Sequence, residues 1–289
     1  MNSFAMRING YSTLFRGGLS LFAAFSASAG YVYFHHGVSW NALFVFLGTA
    51  SLSASASAFN QLQERHADGL MERTRDRPLP SGRITPCLAV IAAGFLGLLG
   101  LITLYRGARP SAALFGLAAL FWYNGVYTPI KRKTVFAPII GAAAGACALL
   151  IGWAAAGVRF DKKALCIVFY VFLWQVAHFL LLLLKFGKEY EYAGFPSPAA
   201  SIDAAGLRGI VYIWLIATSS ITLFFPLLGV ISNPALLFAL ICGNGALWVY
   251  FYFSMVRQKL NTRYIALFRC MYLLHAGVLA SLIVQGLWV

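Results

Sequence analysis

The sequence predicts an all-α fold, a polytopic membrane protein of nine transmembrane helices, and three observations predict it. Apolar residues make up 61% of the 289 positions and charged residues only 10%, with a mean hydropathy of +0.77; a water-soluble domain carries about 25% charged residues. The apolar residues fall in runs of roughly 20, the length that spans a hydrocarbon core at about 1.5 Å per residue. The charges fall between those runs, in short loops.

Taken in order, the expected spans are Leu14–Phe34, Trp40–Phe59, Leu88–Tyr105, Ser111–Tyr127, Ala137–Gly157, Ala164–Leu184, Ile210–Val230, Pro234–Phe253 and Tyr264–Leu287. The first imitates a secretory signal, with Arg7 and Arg16 before an apolar run and small residues Ser26 to Gly30 after it. The run continues through Tyr31-Val32-Tyr33-Phe34, which makes it long enough to span. The second alternates Ser51, Ser53, Ser55 and Ser57 with Leu and Ala, and the fifth carries Gly141, Gly145 and Gly152; small residues at these spacings serve close helix packing. Trp122, Tyr123 and Tyr127, near the end of the fourth span, suit a membrane interface. Cys87, Cys147, Cys166, Cys242 and Cys270 stand singly and read as small buried residues rather than a disulfide or metal framework. The whole chain, 1–289, is expected to be one transmembrane domain with a short cytoplasmic segment, 1–13, before the first span.

Of the 22 Lys and Arg residues, 17 fall on one side of this topology and 5 on the other. The positive-inside rule puts the N-terminus and the loops after spans two, four, six and eight in the cytoplasm, and the C-terminus outside. The net charge of +14 is thereby accounted for by orientation in the lipid bilayer, and nucleic-acid binding is not expected. The acidic residues are more selective. Seven of the eight lie on the cytoplasmic side: Glu64, Asp68, Glu72 and Asp76 after span two, and Glu189, Glu191 and Asp203 after span six.

Glu64, Asp68, Glu72 and Asp76 recur every fourth residue, with Asn60 one step earlier, so a helix over Asn60–Asp76 carries them as one acidic stripe, ending before Pro78 and Pro80 and loosened at Gly69. Like charges at that spacing cost about 0.2–0.5 kcal/mol per pair unless cations intervene. Asn60, Glu64 and Asp68 would stand nearest the membrane, while Glu72 and Asp76 would pair with Arg75 and Arg73. Two acidic loops facing the basic run Lys131-Arg132-Lys133 at one membrane surface suit a polyanion held through a divalent metal, since Mg²⁺ takes one or two carboxylates plus phosphate oxygens. Arg and Lys take the remaining oxygens. The same pattern also suits a solvated, self-neutralising hinge between two spans. His178, ionisable within an apolar run, is a functional candidate; by itself a neutral imidazole there reads as a hydrogen bonder between helices. His35 and His36 fall at the outer interface, His66 in the acidic loop, and His275 in span nine.

These blocks carry a resemblance. Asn60-x-x-x-Glu64-x-x-x-Asp68, followed by Met71-Glu72-Arg73-Thr74-Arg75-Asp76-Arg77-Pro78-Leu79-Pro80-Ser81-Gly82-Arg83, resembles the first signature of the UbiA superfamily of intramembrane prenyltransferases. Tyr127-Thr128-Pro129-Ile130-Lys131-Arg132-Lys133-Thr134, Leu150-Ile151-Gly152-Trp153-Ala154, Trp174-Gln175-Val176-Ala177-His178-Phe179 and Glu189-Tyr190-Glu191-Tyr192-Ala193-Gly194 follow in the family's order, and are most similar to the branch that farnesylates heme. The chain departs from the pattern at Ala137 (usually Asn), Cys147 and Ala148 (usually Pro), Ala177 (usually Pro) and Glu189 (usually Asp). The resemblance implies a helical bundle around a central cavity in a bacterial inner membrane. Its implied substrates are farnesyl diphosphate, bound at the cytoplasmic mouth, and heme b, the acceptor. It implies Mg²⁺ held by Glu64, Asp68 and Glu189 and oriented by Asn60, diphosphate bound by Arg77, Arg83, Lys131 and Arg132, and a prenyl and acceptor cavity with Tyr123, Tyr127, Trp174 and His178. A downstream heme-modifying or oxidase-assembly protein would collect the product. A quinone-precursor acceptor, and a non-catalytic heme or lipid carrier or transporter, are the competing readings.

Overall fold

The computed structural model describes residues 10–198, 202–257 and 264–288. Their principal helices are α1 (Gly17–His35), α2 (Trp40–Leu70), α3 (Pro86–Gly107), α4 (Pro110–Phe121), α5 (Ala137–Ala156), α6 (Lys162–Tyr192), α7 (Ala204–Ser220), α8 (Pro234–Tyr252) and α9 (Tyr264–Trp288). A π-helical turn, Trp122–Tyr127, extends α4. Among the described residues seven helices, counting α7 as running on to Leu227, are long and apolar enough to cross a membrane. The expected nine is not confirmed by this count: α1, 19 residues long, is rich in Gly, Ala and Ser, and α4 is a 12-residue helix that passes into the π turn.

Small residues set the close contacts. A Cβ on Gly100 of α3 would lie 2.8 Å from the Gly48 carbonyl of α2, and Ser55 donates across the same interface to the Ala93 carbonyl at 2.7 Å. A Cβ on Gly152 of α5 would collide with the Ala27 carbonyl of α1. The outer faces carry exposed apolar side chains such as Phe95, Leu98, Leu114, Phe238 and Ile241, the surface a lipid-facing helix presents. Cys87 and Cys242 lie on exposed surface and only Cys166 is fully buried, which corrects the reading of all five as buried: on a helix bathed in lipid an apolar position need not face protein.

Two helices overrun the bilayer. α2 and α6 each have 31 residues, roughly 46 Å against a core of about 30 Å. Their C-terminal turns project at the same end of the bundle, where the Arg73 backbone N–H donates to Glu189 Oε2 at 3.2 Å and the Arg73 guanidinium to the Tyr190 hydroxyl at 3.2 Å. α2 stops at Leu70, six residues short of Asp76. The Thr74 hydroxyl takes the Asp68 carbonyl at 2.8 Å, the acceptor that a continuing helix would have offered to the Glu72 N–H. Glu72 and Asp76 are consequently in exposed turns. The two ion pairs found among the described residues involve neither of them, so their expected pairing with Arg75 and Arg73 is not formed.

Candidate diphosphate site and internal chamber

The projecting part of α2 turns one face toward the bundle, and along that face Asn60, Glu64 and Asp68 are buried, at 2%, 2% and 1% exposure. Each carboxylate has a cation. Lys131 Nζ lies 3.1 Å from both oxygens of Glu64, and Arg77 Nη1 donates to both oxygens of Asp68 at 2.8 and 2.7 Å. Burial works against the charge of Lys131, but Tyr190 and Glu64 outweigh it and hold its pKa above the usual lysine range. Arg77 is pulled downward by burial and by the nearby Arg16 guanidinium, with Asp68 acting the other way; a guanidinium stays charged regardless.

Arg16 is the residue that the sequence motifs did not single out. It caps α1 in the left-handed region, φ 45 and ψ 55, a conformation that costs a non-glycine residue roughly 1–2 kcal/mol. The backbone there aims the side chain inward, where it donates to Asn60 Oδ1 at 3.1 Å and to the Tyr123 hydroxyl at 3.4 Å. Asn60 Nδ2 in turn donates to Thr128 Oγ1 at 3.2 Å. The signal was its position, a cation in the first turn of the expected first span, at the end that faces the acidic loops. The π turn supplies the tyrosines. The Thr128 hydroxyl takes the Tyr123 carbonyl at 2.8 Å and the Asn124 amide donates to the Ala56 carbonyl of α2 at 3.0 Å, so the widened turn is pinned, and Tyr123 and Tyr127 stand with ring centres 5.3 Å apart. They face inward rather than the membrane interface, unlike Trp122.

These groups surround a mouth of about 660 Å³, lined by Asn60, Glu64, Asp68, Tyr123, Tyr127 and His178 and by five cations, Arg16, Arg73, Arg77, Lys131 and Lys185. Five positive charges against two negative ones make it an anion site. Below it lies a chamber of about 230 Å³ whose walls are largely aliphatic and aromatic, with Leu52, Leu120, Ile151 and Trp174 among them. Ser53 and Ser57 of α2 also line this chamber, so only part of the serine alternation serves helix packing. Trp174 donates to the Met271 carbonyl at 2.8 Å and lies between two imidazoles, His178 at 5.4 Å and His275 at 4.5 Å, both nearly parallel to it.

Three expected site residues are elsewhere. Glu189 receives the Arg73 backbone N–H and does not line the mouth; among the described residues no three His, Cys, Asp or Glu side chains form a metal-binding group. Glu64 and Asp68 still fit a divalent cation, because Mg²⁺ commonly takes two carboxylates and completes its shell with phosphate oxygens and water. Arg83 donates to Ser81 Oγ and to the Asp76 carbonyl in its own exposed turn. Arg132 donates to the Gln63 carbonyl at 2.9 Å from the outer surface of the mouth.

A helical membrane bundle with a cationic, carboxylate-bearing mouth above an apolar internal chamber defines a class, membrane proteins that take an amphiphile with an anionic head and a hydrocarbon tail. The chain belongs to the UbiA prenyltransferase family, whose family profile matches residues 19–276. It is 39% identical over 224 residues to a protoheme IX farnesyltransferase of Geobacter sulfurreducens, covering 76% of this chain and 81% of that one. To the protein of the same name from Flavobacterium johnsoniae it is 33% identical, over 84% and 82% of the two chains. Among solved structures, the fold is similar to digeranylgeranylglyceryl phosphate synthase, with a TM-score of 0.76 at 14% identity over 98% of this chain and 100% of that one. A UbiA homologue from Archaeoglobus fulgidus bound to GPP and Mg²⁺ gives a TM-score of 0.70 at 17% identity, over 95% and 99% of the chains.

Proposed function

We propose that this protein transfers the farnesyl group of farnesyl diphosphate to a vinyl group of heme b, giving heme O. The observation that carries the donor half is the mouth, where two buried carboxylates, each already matched to a cation, sit among five basic side chains above an apolar chamber. The relatives named protoheme IX farnesyltransferase carry the acceptor half. Arg16, Arg77 and Lys131 bind the diphosphate and stabilise the negative charge that develops on it as the allylic C–O bond breaks. Glu64 and Asp68 would hold the divalent cation, with Asn60 orienting it or a phosphate oxygen. Mg²⁺ bound there supplies further positive charge against the leaving group. The farnesyl tail lies in the lower chamber, and Tyr123, Tyr127 and Trp174 present π faces to the allylic cation and exclude water until the new carbon–carbon bond has formed.

The mouth lies on the cytoplasmic side of a bacterial inner membrane, since the basic loops cluster there, and a heme-modifying or oxidase-assembly protein takes the product. The test is to incubate the purified protein with farnesyl diphosphate, Mg²⁺ and heme b and to look for heme O by mass. Product from an aromatic acid, and none from heme, would move the acceptor to a quinone precursor. Asp68→Ala should abolish transfer while heme retention stays largely intact; near-normal turnover in that variant with Mg²⁺ present would sink the assignment of the mouth.

A further inference from the structure

Making heme O requires a second chemical event after farnesyl transfer, and the structure places one residue to serve it. Six residues line both the mouth and the lower chamber: Arg16, Leu19, Tyr123, His178, Phe179 and Leu182. A prenyl diphosphate with its head in the mouth and its tail in the chamber has its reacting carbon at this waist. Of the six, His178 alone carries a side chain that is a base at neutral pH, since guanidinium and phenol have no basic lone pair there.

That base is uncommitted. His178 makes no hydrogen bond to any described residue, and its Nδ1 is buried without a partner. A neutral imidazole keeps one lone pair whichever nitrogen carries the hydrogen, and no described residue uses it. The other bases along the two chambers are committed. Glu64 and Asp68 hold Lys131 and Arg77. His275 bonds Ser26 Oγ at 3.2 Å through Nε2 and the Tyr170 hydroxyl at 3.3 Å through Nδ1. Packing fixes the His178 ring, which stacks on Trp174 with an interplanar angle of 11° and meets Phe268 and Tyr272 edge-on at 5.5 and 5.4 Å.

We propose that His178 is the proton acceptor for the water that completes the product, an inference that rests on the heme-farnesylating function above. The farnesyl cation, freed when its C–O bond to diphosphate breaks, bonds to the terminal CH₂ of the vinyl group. The positive charge then sits on the carbon attached to the porphyrin. Water attacks that carbon through oxygen, and its proton passes to the His178 lone pair, leaving a neutral secondary alcohol. The proton later leaves His178 for solvent. When His178 cannot take that proton, the same cation instead gives up H⁺ from the adjacent CH₂ to the released diphosphate and becomes an alkene, one water lighter than heme O.

The experiment compares wild type with His178→Gln and His178→Phe, the first keeping a polar side chain and the second an aromatic plane, with wild-type heat survival as the folding check. Each is given farnesyl diphosphate, Mg²⁺ and heme b in H₂¹⁸O, and products are separated by mass while released diphosphate is assayed in parallel. Wild type should incorporate ¹⁸O into the product hydroxyl. Both variants should lose hydrated product by about 10²-fold, the low end for a general base, and accumulate the alkene in its place, so that the hydrated share of all farnesylated heme, normalised to released diphosphate, falls while the heme absorption spectrum is kept. Hydrated product at the wild-type fraction would overturn the proposal by showing that another base, such as the departing diphosphate, takes the proton. Loss of the bound-heme spectrum together with all farnesylated product would overturn it in favour of iron ligation. If wild type makes no farnesylated heme at all, the heme-farnesylating function fails first, and this proposal with it.

Discussion

Asp68 and Arg77 form the tightest charge pair in the mouth, and the consequences of breaking it can be worked from the structure. In Asp68→Ala the guanidinium loses contacts at 2.8 and 2.7 Å, and it stands near Arg16, whose charge already disfavours it. Asp68 is 1% exposed and Arg77 15%. Removing one member of a buried pair costs about 3–5 kcal/mol, because the other is left uncompensated; the partial exposure of Arg77 places this site near the lower figure. The double variant Asp68→Ala, Arg77→Met removes both charges and keeps an apolar stem, so it should lie within about 1–2 kcal/mol of wild type; with each single variant costing about 3 kcal/mol, the coupling energy should be about 4–5 kcal/mol in magnitude. The measurement is reversible unfolding of all four proteins in mixed detergent micelles without divalent cations. Additivity within about 0.5 kcal/mol would refute the reasoning, since the two side chains would then be stabilised independently. Activity should be absent from both Asp68 variants whatever their stability.

Arg83→Ala and Arg132→Ala should each change KM for farnesyl diphosphate by no more than about twofold, as exposed substitutions generally do, whereas Lys131→Ala should raise it sharply or abolish turnover. Steady-state kinetics on the three variants separates the loop cations from those that line the mouth. Arg16 makes charged hydrogen bonds to Asn60 and Tyr123 without a carboxylate of its own; Arg16→Met should weaken farnesyl diphosphate binding by about 10- to 100-fold, the equivalent of roughly 1.5–3 kcal/mol, measured by titration with an unreactive analogue. Gly152→Ala should destabilise by about 1–3 kcal/mol, as overpacking does, because its Cβ meets the Ala27 carbonyl. Gly94→Ala in α3, where a Cβ meets nothing within 4 Å, should be neutral or stabilising in the same heat-survival assay.

Much of this was legible because membrane helices announce themselves by length and apolarity, and because a chain with only eight acidic residues places each of them informatively. The four-residue spacing of Asn60, Glu64 and Asp68 gave their common face directly. Spacing could not give where the helix ends, since that turns on the Thr74 hydroxyl reaching the Asp68 carbonyl. For the same reason Glu72 and Asp76 were legible as charges and not as partners. Glu189 and Arg132 sat in the right blocks, but a motif does not fix which way a terminal turn points, and both engage the chain outside the mouth. Arg16 stayed hidden because its importance comes from a left-handed backbone and a neighbour 44 residues away, neither of which leaves a periodic trace.

The charge count of the mouth also dictates an order of binding. With five cations against two carboxylates, and with both carboxylates held by Arg77 and Lys131, a divalent cation arriving alone must displace a bound cation and add to an existing positive excess. Diphosphate reverses both obstacles: its oxygens accept Arg77 and Lys131 as they leave the carboxylates, and its charge offsets the excess. Metal and donor should therefore bind synergistically, each tightening the other by the same factor, as linkage requires. A coupling of at least about 1.4 kcal/mol, tenfold in affinity, is expected from the exchange of even one charged contact, since such contacts are worth about 1.5–3 kcal/mol. Calorimetric titration of Mg²⁺ into the protein, with and without an unreactive farnesyl diphosphate analogue, measures it. Mg²⁺ that binds equally well in both titrations would mean that Glu64 and Asp68 are free of their cations in the resting protein, and that the ion pairs at 3.1 and 2.7 Å do not oppose metal entry.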